Sequence, residues 1–175
     1  TVLICLITLI VNFIVRSFGM SQLINDILSL GYAVPGLILA VGITRMFTSL
    51  DSLLINFDTF ITGSILGLVL AYIIKTYAIS NNVLNSAYAS IPLSVDESAK
   101  TLGTGRLSIL KSIHMPMLKT GLFTSFLLVM AELIKELPAT LILRPFNFDT
   151  LAVSVYLLAS EERMFEAAFP GLMII

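Results

Sequence analysis

Long runs without a charged side chain constrain this sequence more than any other feature. Residues 1–15 and 27–44 contain no Asp, Glu, Lys or Arg. Of the 175 residues, 57% are hydrophobic and only 12% are charged, whereas a soluble domain has about 25% charged residues. So few charges cannot cover a surface that faces water. We therefore predict an all-α integral membrane protein.

Five apolar segments are predicted to cross the bilayer or to begin crossing it, because a spanning helix needs about 20 residues. They are Thr1–Val15, Val34–Phe47, Thr59–Ile74, Met117–Ile134 and Glu166–Ile175. Ser17–Leu30 is predicted to be a polar connector, in which Leu23, Ile27 and Leu30 indicate a short amphipathic helix at the membrane interface. Thr48–Asp58 is predicted to be a loop. Thr150–Ala159 is predicted to be a helix too short to cross, capped by Asp149. Since both ends of the sequence lie within apolar runs, we expect a fragment of a longer chain.

The longest polar interval, residues 80–116, is predicted to contain two short helices joined by a turn. Ser94 and Glu97 have the spacing of a capping box, in which each side chain bonds the backbone N–H of the other residue. Gly103 stands where the first helix should end, because the residue after a helix often needs positive φ. Pro116 suits the first position of the following helix. The interval therefore predicts a helix-turn-helix outside the membrane spans.

The first of these two helices is predicted to have two distinct faces. Val95, Ala99 and Leu102 recur at i, i+4 and i+7, so they share an apolar face. Asp96 and Lys100 are four residues apart and are predicted to pair on another side. The helix should therefore offer an apolar stripe for packing or docking.

The spacing of residues in this interval resembles the EAA loop of ABC importer permeases. The family pattern is Glu-Ala-Ala, three residues, Gly, nine residues, Ile, one residue and Leu-Pro. This chain departs from it at Ser98, where the family has Ala, and at Met115, where the family has Leu. The resemblance implies a coupling helix that docks on a cytoplasmic ATPase subunit. The implied coupling residues are Glu97, Ser98, Ala99, Gly103, Ile113 and Pro116.

The same residues also have a purely structural interpretation. Glu97 could serve only the capping box, Gly103 only the helix end and Pro116 only the next helix start. The two interpretations are compatible, since a rigid, capped helix is a good docking element. Their joint spacing, between two predicted membrane spans, favours ATPase coupling.

A second resemblance covers residues 135–152, which read KELPATLILRPFNFDTLA. They are similar to a segment of ferric-iron ABC importer permeases, whose pattern is Glu-Leu-Pro-Ala-Thr, a few residues, and Arg-Pro-Phe-Gly-Phe-Asp-Thr-Leu-Ala. Asn147 replaces the glycine of this pattern, and both residue types tolerate the left-handed conformation. Tyr32–Gly36 is similar to the start of the second core helix in the same permeases.

Together these resemblances imply a type I ABC importer permease fold and the C-terminal lobe of a larger, two-lobed permease. Residues 1–175 would form a single transmembrane domain in a bacterial inner membrane, with a cytoplasmic loop at residues 80–116. The implied partners are a periplasmic iron-binding protein, cytoplasmic ATPase subunits and a second lobe in the same or another chain. Ferric iron rests on the resemblance alone, because related permeases move thiamine, polyamines or oxyanions.

Basic residues predict which side of the membrane each loop faces. Five of them flank or lie in the polar interval, namely Lys75, Lys100, Arg106, Lys111 and Lys119. The Thr48–Asp58 loop has none. The positive-inside rule therefore places the polar interval in the cytoplasm and Thr48–Asp58 outside. The Leu137–Asp149 segment, predicted to be a loop, then also lies outside despite Arg144.

Other polar residues in or near the spans are expected to have mixed roles. Glu132, Lys135 and Glu136 lie near the end of the fourth span, with Glu132 about 22 Å along a core about 30 Å thick. They are either a structural ion pair, Glu132 with Lys135, or a lining of the translocation path suited to a cation. Asn12, Arg16 and Arg45 are predicted to be anchors at the membrane interface. The third span extends toward Ile79 if Lys75 snorkels toward water.

Nothing in the sequence points to chemistry performed by this chain. It lacks a phosphate-binding Gly-rich loop, so ATP hydrolysis is expected in a partner. Cys5 has no second cysteine and His114 has no neighbouring ligand residue, so no metal or cofactor is expected. With a net charge of −1 and no basic stripe, the chain should bind no nucleic acid. An intramembrane enzyme would need a nucleophile with a base, and an ion-coupled secondary transporter would leave the polar interval unexplained.

Overall fold

The structure, a computed structural model, describes residues 1–53 and 61–174. Every regular element within these residues is a helix, which confirms the predicted fold class. In chain order they are α1 (Val2–Phe18), α2 (Leu23–Ser29), a 3₁₀ helix (Leu30–Ala33), α3 (Gly36–Leu53), α4 (Ile65–Ala89), α5 (Leu93–Thr101), α6 (Arg106–Ile109), a π-helical turn (Leu110–His114), α7 (Met115–Lys135), α8 (Pro138–Leu143), α9 (Leu151–Ser160) and α10 (Met164–Leu172).

Three helices in the described residues are long and apolar enough to cross a membrane: α3, α4 and the continuous helix Arg106–Lys135. Helix α1 is shorter, with 17 residues, and α10 has nine. Helix α3 extends to Leu53, so the first part of the predicted Thr48–Asp58 loop is helical. Asp58 and Thr59, where the predicted loop ends and the predicted third span begins, lie outside the described residues, as does Ile175.

Helix α4 continues to Ala89, about ten residues beyond Ile79, the farthest end predicted for the third span. The prediction was wrong because the polar residues Ser80 and Asn81 do not face water. Both are buried. Ser80 accepts a hydrogen bond from Ser125 at 2.7 Å, and Asn81 accepts one from Asn12 at 2.9 Å. Polar side chains whose hydrogen bonds are satisfied inside the protein do not end a helix.

The second helix of the polar interval and the fourth span form one continuous helix, from Arg106 to Lys135. The predicted break at Pro116 is therefore wrong. A π-helical turn at Leu110–His114 interrupts the α-helical geometry immediately before that proline. Proline inside an α-helix lacks an N–H and its ring clashes with the carbonyl four residues earlier. The wider turn accommodates the ring without ending the helix.

The segment predicted as the Leu137–Asp149 loop contains helix α8, which has a proline at its start. Asn147 has a φ of 64°, as its place in a glycine position predicted. Asp149 does not cap α9; its carboxylate pairs with Arg144. Thr150 caps α9 instead, and its hydroxyl accepts a hydrogen bond from the backbone N–H of Val153 at 3.4 Å.

The chain forms two compact units, and their boundaries fall within α4 and α7. The first consists of Thr1–Gly31 and Thr76–Met130, and the second of Tyr32–Lys75 and Ala131–Ile175. A cluster in the first unit is built from Leu9, Leu84, Tyr88, Ile91 and Leu118. A cluster in the second is built from Ala40, Ile43, Phe47, Leu68, Ala71, Ala139 and Leu143. A single transmembrane domain with a cytoplasmic loop stays a prediction.

Candidate coupling site

Helix α5 carries the EAA-like residues, and it begins two residues earlier than the capping box requires. Pro92 is the N-cap, with an extended ψ of 145°, and Leu93 is the first helical residue. Ser94 therefore lies inside the helix and cannot act as its N-cap. The predicted capping box between Ser94 and Glu97 is wrong, because the preceding proline already fixes where the helix starts.

The C-terminal end of α5 has the geometry that the sequence predicted. Gly103 has a φ of 76°. Its N–H donates to the carbonyl of Lys100 at 3.0 Å, and the N–H of Thr104 donates to the carbonyl of Ala99 at 3.0 Å. This pair of bonds is a Schellman motif, in which glycine takes the left-handed position without a steric penalty. The turn after α5 is therefore sharply defined.

The implied coupling residues divide into an outer and an inner set. Glu97, Ser98, Gly103 and Pro116 are exposed, Ile113 is half-buried, and Ala99 is buried. Leu102 is 84% exposed, whereas Ala99 is buried. The prediction that the two share one face is therefore wrong. The reason is that Leu102 follows the last helical residue. We call Glu97, Ser98, Leu102 and Gly103 the exposed α5 surface.

Asp96, next to Glu97 on α5, points into the protein. It is 6% exposed. Its Oδ2 accepts a hydrogen bond from Arg16 Nε at 2.7 Å, and its Oδ1 bonds with His114 Nε2 at 2.8 Å. The predicted pair with Lys100 is therefore wrong. A buried carboxylate gains more from a charged guanidinium and an imidazole than from an exposed lysine.

The remaining N–H groups of Arg16 donate to backbone carbonyls in the last turn of α4 and in the connection to α5. Nη1 donates to the carbonyl of Tyr88 at 3.1 Å, and Nη2 donates to the carbonyls of Ile91 at 2.8 Å and Pro92 at 3.2 Å. Tyr88 lies in the last turn of α4, where a cation is favoured by the helix dipole, whereas Ile91 and Pro92 lie in the connection to α5. Arg16 is thus a half-buried link between helices and not the interface anchor that was predicted.

The pKa of Asp96 reflects two opposing influences. Burial raises the pKa of its carboxyl group, because burial disfavours the charged form. Hydrogen bonds from Arg16 and His114 favour the charged form and outweigh burial, so the pKa of Asp96 is held below its usual value. The carboxylate is therefore ionised at neutral pH.

His114 is fully buried. Its ring makes edge contacts with Phe13, at a centroid distance of 5.7 Å, and with Tyr88, at 5.3 Å. It is the last residue of the π-helical turn, which directs it toward Asp96. Its Nδ1 has no hydrogen-bond partner within the described part of the chain.

Buried amides form a second polar cluster in the same unit. Asn12 donates to Asn81 at 2.9 Å and accepts from Asn25 at 3.2 Å, and Asn25 accepts from the hydroxyl of Tyr77 at 2.8 Å. The prediction that Asn12 lies at the membrane interface is therefore wrong, because its side chain is buried within the protein. The available signal was its position in an apolar run, because polar residues inside spans usually face the protein interior. Arg16, at the end of the same apolar run, could have been recognised as facing the protein interior for the same reason.

Of the three residues predicted near the translocation path, Glu136 is the one whose environment is best defined. It is 5% exposed and pairs with Lys75, so Lys75 is held within the protein and does not snorkel. Its Oε1 also accepts a hydrogen bond from the N–H of Ala139 at 3.2 Å, at the start of α8. A Cβ on Gly36 would lie 2.8 Å from this oxygen, which explains the glycine. Glu132 is half-buried and Lys135 is exposed, and their role stays a prediction.

Comparison with known proteins identifies the family of this chain. The family model for the binding-protein-dependent transport system inner membrane component matches residues 5–175. The chain belongs to this family. It is a multi-pass inner-membrane protein with the all-helical fold of ABC importer permeases, which confirms the predicted family, fold class and location.

Two permeases are similar to parts of this chain. One, the Fe(3+)-transport system permease protein FbpB 2 of Haemophilus influenzae, is 24% identical over 144 residues, which cover 82% of this chain and 27% of that protein. The other, the ferric transport system permease protein FbpB of Actinobacillus pleuropneumoniae, is 31% identical over 90 residues, which cover 51% and 13% respectively. The chain thus matches about a quarter or less of each relative.

Proposed function

We propose that this chain is one lobe of the membrane subunit of an ATP-driven importer, which moves ferric iron released by a periplasmic binding protein. It hydrolyses no ATP itself and depends on partner ATPase subunits. Support for iron comes from the names of the two relatives and from the segment at residues 135–152. The observation that best supports the coupling role is the exposed α5 surface on a helix whose opposite side is fixed by Asp96.

In this mechanism the ATPase docks on the cytoplasmic side of α5. Glu97, Ser98, Gly103 and Pro116 are accessible to it, whereas Ala99 and Ile113 support the surface from within. ATP binding and hydrolysis move α5, and the permease lobes then alternate between two rigid-body arrangements. The second lobe belongs to the same or another chain.

We include Glu132, Lys135 and Glu136 in the proposed translocation path. Lys75 neutralises Glu136, so Glu136 mainly orders the start of α8. Glu132 is half-buried near the end of α7 and is the carboxylate in this group that a passing cation would meet. Carboxylates in such positions suit cations, because they offset the loss of the hydration shell.

The test is uptake by the complete transporter that contains this chain, in proteoliposomes with the ATPase and an iron-loaded binding protein. Gly103→Ala places a Cβ on a residue with a φ of 76°, which costs about 1–2 kcal/mol and should deform the α5 surface. We expect ATP-dependent uptake to fall severalfold. Gly105→Ala is the matched control, because Gly105 has a φ of −68° and open space around it.

Three outcomes would contradict parts of the proposal. Equal uptake by the two glycine variants would remove α5 from the coupling mechanism. Uptake that persists without ATP and follows a proton gradient would identify a secondary transporter. ATP-dependent uptake of thiamine, a polyamine or an oxyanion in place of ferric iron would keep the importer and change the substrate.

A further inference from the structure

We propose that Arg16, Asp96 and His114 are positioning residues that transmit movement of α5 to the membrane helices during ATP-driven transport. We call these three residues the α5 clamp. The inference rests on the proposed function, since it assigns a role to residues that the ATPase itself does not touch.

The hydrogen bonds of the clamp connect four parts of the first unit. Arg16 lies near the end of α1, and its guanidinium bonds the carboxylate of Asp96, one carbonyl in the last turn of α4 and two carbonyls in the connection from α4 to α5. His114 closes the other side, because it bonds Asp96 from the end of the π-helical turn. A displacement of α5 therefore acts at once on α1, on the end of α4 and on the start of α7.

Helix α5 depends on these contacts for its orientation. It has nine residues, and isolated helices shorter than about 12 residues are marginal in water. Its described outward residues, such as Glu97 and Ser98, are exposed. Its inward contacts are Ala99, the partly buried Val95 and the charged side chain of Asp96. Only Asp96 among these offers directional bonds, so it fixes the angle at which the exposed α5 surface is presented.

The clamp resists separation because Asp96 and His114 are buried and Arg16 is half-buried. The side chain of Arg16 is 11% exposed and that of Asp96 is 9% exposed. Removing one partner of a buried pair leaves an uncompensated charge, which is strongly unfavourable. Moving α5 together with its neighbours avoids that cost. The favoured response to a force on α5 is therefore movement of the whole connected group.

The experiment measures substrate molecules imported per ATP hydrolysed by the complete transporter in proteoliposomes. The variants are Asp96→Asn, Arg16→Lys and His114→Gln. Arg16→Lys keeps the charge but loses the planar fork that reaches several carbonyls. Asp26→Asn and Arg45→Lys are matched controls, because both residues are exposed and lie outside the clamp.

We expect the three clamp variants to retain ATP hydrolysis while the ratio of import to hydrolysis falls about tenfold, within the range typical of coupling between sites. The two controls should keep the ratio of the unaltered transporter. A purely structural role would lower thermal stability and leave that ratio unchanged, and this result would overturn the inference.

Two further outcomes keep the inference distinct from the proposed function. If Asp96→Asn does not assemble with the ATPase, the ratio measured for Arg16→Lys decides: a fall supports the clamp, and no change overturns it. If the unaltered transporter imports nothing in an ATP-dependent manner, the proposed function fails. If the unaltered transporter shows ATP-driven import and the clamp variants keep its ratio of import to hydrolysis, the inference about the clamp is wrong and the proposed function stands.

Discussion

At the scale of residues, polar side chains in apolar helices are placed by partners that are distant in sequence. Arg16 and Asp96 are separated by 80 residues, and Asn12 and Asn81 by 69. Exposing polar side chains to lipid is energetically costly, which predicts that these residues face the protein interior. The sequence does not reveal which residue each of them contacts there. The local spacing of Asp96 and Lys100 suggested a pair, which the stronger and more deeply buried contact with Arg16 replaced.

The lowered pKa of Asp96 predicts how stability depends on pH. Its unfolded pKa is about 3.9, and a folded pKa below that value stabilises the protein at neutral pH. This contribution is lost as the pH falls through the folded pKa. Asp96→Asn should lower the free energy of unfolding by roughly 3 kcal/mol at neutral pH, measured in detergent.

On acidification below about pH 4, the difference in stability between the unaltered protein and Asp96→Asn should shrink. Asp26→Asn serves as the control, because it removes an exposed carboxylate that lies outside the contacts of Asp96. A constant difference between the unaltered protein and Asp96→Asn across this range would contradict the assigned cause of the pKa shift.

At the scale of elements, close helix contacts depend on residues without side chains. Gly121 on α7 faces Ala87 on α4, and a Cβ on Gly121 would lie 2.7 Å from the Cβ of Ala87. Atoms that close must move apart, and neither methyl group can rotate away. The sequence showed helices in both places but underestimated the length of α4, because the contacts that satisfy Ser80 and Asn81 are long-range.

Gly121→Ala should therefore destabilise the protein. Overpacking costs about 1–3 kcal/mol, and the helix propensity of alanine returns at most about 1 kcal/mol, so we expect a net loss of about 1 kcal/mol. Thermal unfolding in detergent provides the measurement. Adding Ala87→Gly should restore the spacing and much of the stability. Gly42→Ala, on α3 with open space around it, should not destabilise; if both glycine variants behaved alike, the contact would not be the cause.

At the scale of the whole molecule, the sequence was sufficient for the family, the helical fold and the membrane location. Those features depend on composition and on motifs such as the segment at residues 135–152, which can be recognised locally. The helix bounds were less accurate where tertiary contacts override local signals, as at α8 and at Pro116. The α5 clamp could not be predicted, because it requires knowing which helices are neighbours.

The predicted orientation can be tested with thiol labelling in a Cys5→Ser background. Ser98 and Ser52 are exposed, and the positive-inside rule places Ser98 in the cytoplasm and Ser52 outside. A membrane-impermeant thiol reagent should label Ser52→Cys in intact spheroplasts and Ser98→Cys only in inverted vesicles. Labelling of Ser98→Cys from outside intact spheroplasts would reverse the topology and remove α5 from the reach of a cytoplasmic ATPase.

The π-helical turn at Leu110–His114 has a consequence for how such a protein can evolve. A turn of this kind is equivalent to one inserted residue, and an α-helix rotates about 100° per residue. Deleting one residue there would rotate the helix before the turn relative to α7 and would disturb the contact between His114 and Asp96. We therefore expect a change in the number of residues between Arg106 and Pro116 to be tolerated less well than a change in the identity of those that face water.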